Sequence, residues 1–281
     1  MTQMDAEITV LVENTASAPG LIAEHGLAVH VRAGEASVLF DTGQSPSALP
    51  ANARALGVDL GAVSAAALSH GHYDHTGGLA AFLAANDRAR LFMHPDAARP
   101  HFHCAQDGPA TSIGLPEGLG EALDHAGDRI TWTTSPTTVC EGVHLTGRIP
   151  RRTTFERVSG AFFKDAGGQT PDRFDDDQAL WLTTDSGIVV VLGCAHAGVV
   201  NTLETICEVT GESEVFGVIG GMHLGAASES RLEATADGLR RRKVRLLAPC
   251  HCTGGRATAF LAEAFPDAYR PCSAGTVFSF P

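Results

Sequence analysis

Between residues 69 and 78 the chain reads Ser-His-Gly-His-Tyr-Asp-His-Thr-Gly-Gly, which places His70, His72, Asp74 and His75 within six residues. The preceding Ala65-Ala66-Ala67-Leu68 has the character of a buried strand end, and Gly77-Gly78 opens onto a helical pattern over residues 79–85. The cluster therefore belongs on a strand-to-helix loop. His70 and His72 are two apart, so on a continuing strand they face one side and can share one cation, while Asp74 and His75 turn toward a second position. Imidazole and carboxylate suit zinc, iron or manganese, and two adjacent positions suit a binuclear hydrolytic site.

Downstream, strand patterns at residues 187–192, 215–219 and 244–248 alternate with helical patterns at 199–209 and 228–242. Each of these strands leads to a histidine: His196, His223 and His251. The expected ligand set is His70, His72, Asp74, His75, His196 and His251, with His223 as a seventh candidate. The first two with one later histidine would hold one ion, and Asp74 and His75 with another would hold a second. Cys194, Cys250 and Cys252 flank these positions and are read as small packing residues rather than thiolate ligands.

The motif resembles the signature of the metallo-β-lactamase fold superfamily. Leu39-Phe40-Asp41-Thr42-Gly43, Asp175-Asp176-Asp177-Gln178-Ala179-Leu180, Gly193-Cys194-Ala195-His196, Gly220-Gly221-Met222-His223 and Pro249-Cys250-His251-Cys252 are similar to its dihydropteroate-synthase-like branch. The resemblance implies an α/β fold, a four-layered αββα sandwich, here read as one domain over residues 1–281. It implies a centre of one or two divalent transition metal ions, zinc foremost, with Asp74 as ligand and proton acceptor, and either hydrolysis or a pterin-joining transfer. In that family an aspartate at the position of Asp41 orients the metal site; the residues alone allow a turn-capping role equally. A bridging aspartate usually ends a later strand of the family, and here histidines stand in its place.

Other features were weighed against this site. His25 and His30 lack partners at ligand spacing and read as structural, as does His94. Pro100-His101-Phe102-His103-Cys104 has no downstream completion, and the irregular stretch to Asp128 reads as a lid. Arg148, Arg151 and Arg152 form a basic group to which an anionic substrate could dock, and which a surface loop without a ligand accounts for equally. The run from Arg240 to Arg245 reads as a solvated helix end.

A net charge of −12 argues against a nucleic-acid partner and leaves a small molecule as the expected one. No window is apolar enough for a membrane span, and the acidic start, Met1 to Glu7, carries no secretory pattern. Seven scattered cysteines fit a reducing cytoplasm. Two functions follow: a metal-dependent enzyme acting on a small, anionic ester, phosphoester, lactone or pterin diphosphate, or a non-catalytic metal-binding or ligand-sensing module. Retention of the entire His-x-His-x-Asp-His cluster favours the enzyme.

Overall fold

The computed structural model describes residues 5–105, 108–157 and 160–280; residues 1–4, which carry part of the amino-terminal reading, lie outside them. Ala6–Val12 pairs antiparallel with Ala28–Ala33 and with the final strand, Val277–Phe280. Ala28–Ala33 and Ala36–Phe40 form the expected hairpin, turned at Gly34, whose φ of 55° suits glycine. Ala65–Ala67, Arg90–Met93 and Ile130–Trp132 then add in parallel, giving seven strands. A second sheet of six runs in the order Leu246–Cys250, Gly217–Gly221, Gly187–Leu192, Leu180–Thr184, Val143–Leu145, Thr137–Cys140.

The unbroken apolar run of Gly187–Leu192 shows why the sheets stack as they do. With a side-chain period of two, Val189 and Val191 face the first sheet, where they meet a core containing Val31, Val38 and Phe40. Val190 and Leu192 face the other way, against Leu203 and Ile206 of the helix Val199–Thr210 and Leu232 and Leu239 of the helix Glu229–Arg241. On the far side, Leu11, Leu39 and Leu91 of the first sheet pack against Leu49, Leu79 and Phe82. Three apolar layers thus separate helix, sheet, sheet and helix, the αββα sandwich. No helix among the described residues is long and apolar enough to cross a membrane.

The helix ends follow their chemistry. Ser228 caps Glu229–Arg241 through Arg231 N, and Arg240 and Arg241 lie in its last turn, opposite the macrodipole's negative end. Lys243, just beyond, pairs with Glu214, in keeping with a solvated helix end.

The stretch read as an irregular lid differs from expectation. It contains Phe102–Cys104 and Ala110–Ser112, which join Phe162–Phe163 in a three-stranded sheet, and a helix over Leu119–Ala126. Strands of two or three residues are too short to show a period. The helix buries Leu119, Leu123 and Ala126, an i, i+4, i+7 stripe that Gly118 and Gly127 at its ends obscure.

Candidate metal centre

The three parallel strands Gly187–Leu192, Gly217–Gly221 and Leu246–Cys250 deliver their carboxyl ends to one sheet edge. Just beyond them the backbone turns through left-handed residues: Ala195 at φ 53°, His223 at 46° and His251 at 52°. Non-glycine residues in that region are costly, and their concentration here marks loops held by surrounding structure. From the first sheet, His72 opens the short helix Tyr73–Thr76, which carries Asp74 and His75 to the same edge.

There the histidines meet nitrogen to nitrogen. His75 Nε2 lies 3.2 Å from His251 Nε2, and His70 Nε2 lies 3.3 Å from His196 Nε2. The partners of their other nitrogens explain this. His75 Nδ1 bonds Asp41 Oδ2 at 2.7 Å, and a carboxylate only accepts, so the proton sits on Nδ1. Ser69 Oγ donates to the same carboxylate at 2.7 Å and therefore accepts from His70 Nδ1 at 2.9 Å. His251 Nδ1 donates to Asn14 Oδ1 at 3.0 Å. Each of these bonds turns an Nε2 lone pair inward.

Asp74 Oδ2 is 3.3 Å from His251 Nε2 and 3.6 Å from His75 Nε2. Cys194 Sγ is 3.2 Å from His75 Nε2. Among the described residues the donors fall into three sets whose atoms lie within 4.8 Å of one another: Asp74, His75, Cys194 and His251; His70, Cys194 and His196; and Cys194, His223 and Cys252. His72 adjoins the second, its ring 4.5 Å from that of His70 and 5.0 Å from that of His196, and its Nε2 is buried without a hydrogen-bond partner. An orphaned buried nitrogen beside inward-facing lone pairs is costly in a protein alone and is what a cation would satisfy. The donor set fits a divalent transition metal.

The electrostatics agree. Burial, followed by the neighbouring imidazoles, holds His70 well below its ordinary pKa, and burial lowers His72 to about 3 against the opposing pull of Asp74. Burial also dominates at His196, which stays neutral. His75 is the exception: burial opposes its charge, but Asp74 and Asp41 together raise it to about 9. In the metal-free protein a proton takes the place among these donors that a cation would compete for. Burial would push Asp74 up, yet His75 and His251 bring it below the usual carboxylate range. The Cys194 thiol is pushed up by burial and by Cys252 beside it, a preference that a bound cation reverses.

His223 belongs to the third set, and its Nδ1, like His72 Nε2, is buried without a hydrogen-bond partner. Its ring lies 4.5 Å from that of His196, and its backbone N donates to Cys252 Sγ at 3.3 Å. Cys194, read from sequence as packing, instead lies among the donors of all three sets. His25, read as unpartnered, places Nε2 3.3 Å from Asp74 Oδ2 at the exposed rim. His30 meets Ser37 Oγ, and His94 Nδ1 accepts from Asp96 N, so both take structural places.

The group from His101 to Cys104 is divided: His101 is buried with Nδ1 2.5 Å from Asp172 Oδ2, whereas His103 is exposed. Of the two readings of the basic group, the structure places all three arginines against partners within the fold. Arg148 pairs with Asp175 at 2.7 Å, Arg152 pairs with Glu208, and Arg151 donates to the carbonyls of His196 and Arg173. These cations hold loops rather than stand open to an anion.

Bracing residues invisible to spacing complete the centre. Asp176 Oδ2 accepts from Gly71 N between two ligand candidates, and Asp177 Oδ2 accepts from Ala197 N beside another. Glu13 accepts from His251 N at 2.7 Å. Gly193 is required by close approach, since a Cβ there would lie 2.1 Å from Ser69 Oγ.

Known proteins are similar to this chain in sequence and in structure. A synthase of Methanocaldococcus jannaschii, 7,8-dihydropterin-6-methyl-4-(beta-D-ribofuranosyl)-aminobenzene-5'-phosphate synthase, is 27% identical over 248 residues, 86% of this chain and 84% of the relative. An uncharacterised protein of the same organism is 30% identical over 258 residues, 91% of this chain and 94% of its own. A crystal structure described as a metal-dependent hydrolase of the beta-lactamase superfamily superposes with a TM-score of 0.82 at 30% identity, covering 97% of this chain and 98% of that one. The sequence profile of the metallo-beta-lactamase superfamily matches residues 22–251, the segment that contains His70 through His251, and the chain belongs to that superfamily.

Proposed function

We propose that the chain is a divalent-metal-dependent enzyme that cleaves an ester or phosphoester bond of a small anionic molecule. The observation that supports this most is the buried, unpartnered His72 Nε2 beside converging imidazole lone pairs. His70, His72 and His196 would hold one ion and Asp74, His75 and His251 a second, with Cys194 within reach of both. His223 would sit beside His196 without ligating. Imidazole, carboxylate and thiolate together favour zinc, with iron or manganese next. When bound, such ions supply Lewis acidity, polarising a substrate oxygen and lowering the pKa of water.

The chain's own residues supply the rest. Asp41 and Ser69 fix the tautomers and ring directions of His70 and His75. Asp74, the carboxylate beside His75 and His251, would accept the proton released by the attacking water and pass it to the half-exposed His25 at the rim. The acidic surface favours a small-molecule partner over nucleic acid, and a cytoplasmic setting is proposed from the free cysteines.

The pterin-joining relative gives one specific reason for a second reading, in which the same residues bind a diphosphate leaving group and a carbon–nitrogen bond forms. Protein purified without chelators is expected to carry one to two equivalents of transition metal by elemental analysis. Chelation should abolish turnover of aryl phosphoesters and lactones, and zinc or manganese should restore it. Turnover confined to a pterin diphosphate with an arylamine would select the transferase, and metal-free protein would sink both readings.

A further inference from the structure

The strand Leu246–Cys250 is the edge of the second sheet, and one further segment lies alongside it. Leu247 N donates to Ala268 O and Arg270 N donates to Leu247 O, so residues 268–270 run parallel to the strand with Leu247 opposite Tyr269. Continued three residues along both chains, that register sets Cys250 opposite Cys272. The ladder stops before it gets there, because Pro249 lacks the N–H that would reach Arg270 O. Among the described residues no backbone bond joins residues 271–273 to the strand.

Both cysteines face the same way. Cys250 is buried in the core between the two sheets with Ile219, Ala248 and Phe278, and the half-buried Cys272 packs against that same core. The thiols are neighbours: Cys272 first, and burial second, push the Cys250 thiol well above its ordinary range. Opposed residues of adjacent strands stand about 5 Å apart, inside the roughly 4.4–6.8 Å that a disulfide spans between Cα atoms. Neither sulfur belongs to a donor set of the metal centre.

Cys272 also adjoins the loop that braces a ligand candidate. Two residues on, Ala274 N donates to Thr15 O at 2.9 Å, and Ala274 O accepts from Ser17 N at 2.9 Å. In the same loop Glu13 and Asn14 hold His251, the residue after Cys250. A bond between the two sulfurs therefore fastens together the carboxy-terminal segment, the brace loop and the His251 turn.

We infer that Cys250 and Cys272 form a reversible disulfide on exposure to a low-molecular-weight disulfide, and that this staple holds the carboxy-terminal segment onto the strand leading to His251. In a reducing setting the pair stays as the two free thiols of this structure. The staple goes beyond the reading of the centre as an enzyme site and does not depend on it. The half-buried Cys272 sulfur attacks one sulfur of the small disulfide, whose S–S bond breaks, and one half leaves as a thiol. Cys250 then attacks the capped Cys272 sulfur from inside the fold and expels the other half as a second thiol. Two protein thiols are oxidised, one small disulfide is reduced to two thiols, and the two protein protons end on those thiols. Neighbouring sulfurs must close to about 2.05 Å to bond. Cys250 is fixed in the ladder opposite Gly221, whereas residues 271–273 are free of it, so Cys272 makes the move and His251 keeps its place.

The test treats metal-loaded wild type and Cys272→Ser with oxidised glutathione. Free thiols are then alkylated, unreduced peptides are mapped by mass spectrometry, and metal content and denaturant unfolding are measured on each sample. Wild type is expected to yield a linked peptide pair containing Cys250 and Cys272, to keep its metal, and to unfold at a higher denaturant concentration, with dithiothreitol reversing the link and the shift. Cys250 of Cys272→Ser should remain a free thiol, and the oxidant should leave that variant's midpoint unchanged. Wild type in which Cys250 and Cys272 stay unlinked, or in which either links to a different cysteine, would overturn the disulfide. An equal rise of the midpoint in Cys272→Ser would overturn its role as a staple, and metal lost on linkage would overturn the claim that His251 keeps its place. Protein that forms the link but never carries metal would refute the enzyme reading and leave the staple standing.

Discussion

Replacing His72 with alanine is expected to lower kcat/KM by about a thousandfold or more, roughly 4 kcal/mol of transition-state stabilisation, while the protein stays folded. His72 Nε2 is a buried nitrogen without a partner, and once it is gone that position keeps only the imidazoles of His70 and His196 with Cys194. The set of Asp74, His75, Cys194 and His251 does not include His72, so those residues should retain their ion. Elemental analysis should therefore find about one equivalent fewer than in wild type. Cooperative unfolding should persist, because the loop is anchored by Gly71 N to Asp176 and by Gln178 N to Ser69 O. Complete loss of the unfolding transition would mean that the ion holds the fold rather than the substrate.

The second large effect is expected at Asp41. This fully buried carboxylate accepts from Ser69 N, Ser69 Oγ and His75 Nδ1, each at 2.7 Å. Asp41→Ala leaves those donors buried and unsatisfied, which should cost about 3–5 kcal/mol of stability by denaturant unfolding. It also frees the His75 ring, and loosened ligand orientation typically weakens metal binding by about 10–100-fold. Asp41→Asn keeps the volume and tolerates the left-handed φ of 61°, so it should lose less stability than alanine while still losing metal affinity. Equal stability of Asp41→Ala and wild type would show that the bracing network contributes nothing.

What could be read from the sequence was whatever is local. The His-x-His-x-Asp-His spacing, the β-branched strands and the strand-end histidines each sit within a few residues of their own explanation. Partners distant in the chain were not readable: His101 meets Asp172 across 71 positions, and Asp176 meets Gly71 N across 105. Cys194 was missed because a cysteine between a glycine and an alanine after an apolar strand has the pattern of packing, and only the sheet edge shows it among imidazoles. The arginines at 148, 151 and 152 carry charge but no sign of direction, and their carbonyl and carboxylate partners lie 22 to 56 residues away. Of the two readings of Asp41, the carboxylate takes the one that braces a ligand candidate, accepting from Ser69 and His75, 28 and 34 residues away, and not from its own turn.

The most direct measurement is anomalous diffraction at the zinc edge from crystals of zinc-loaded protein. The account predicts two peaks, one among His70, His72 and His196 and one among Asp74, His75 and His251, both within bonding distance of Cys194 Sγ. Peaks only at Cys252 and His223, or none at all, would contradict it.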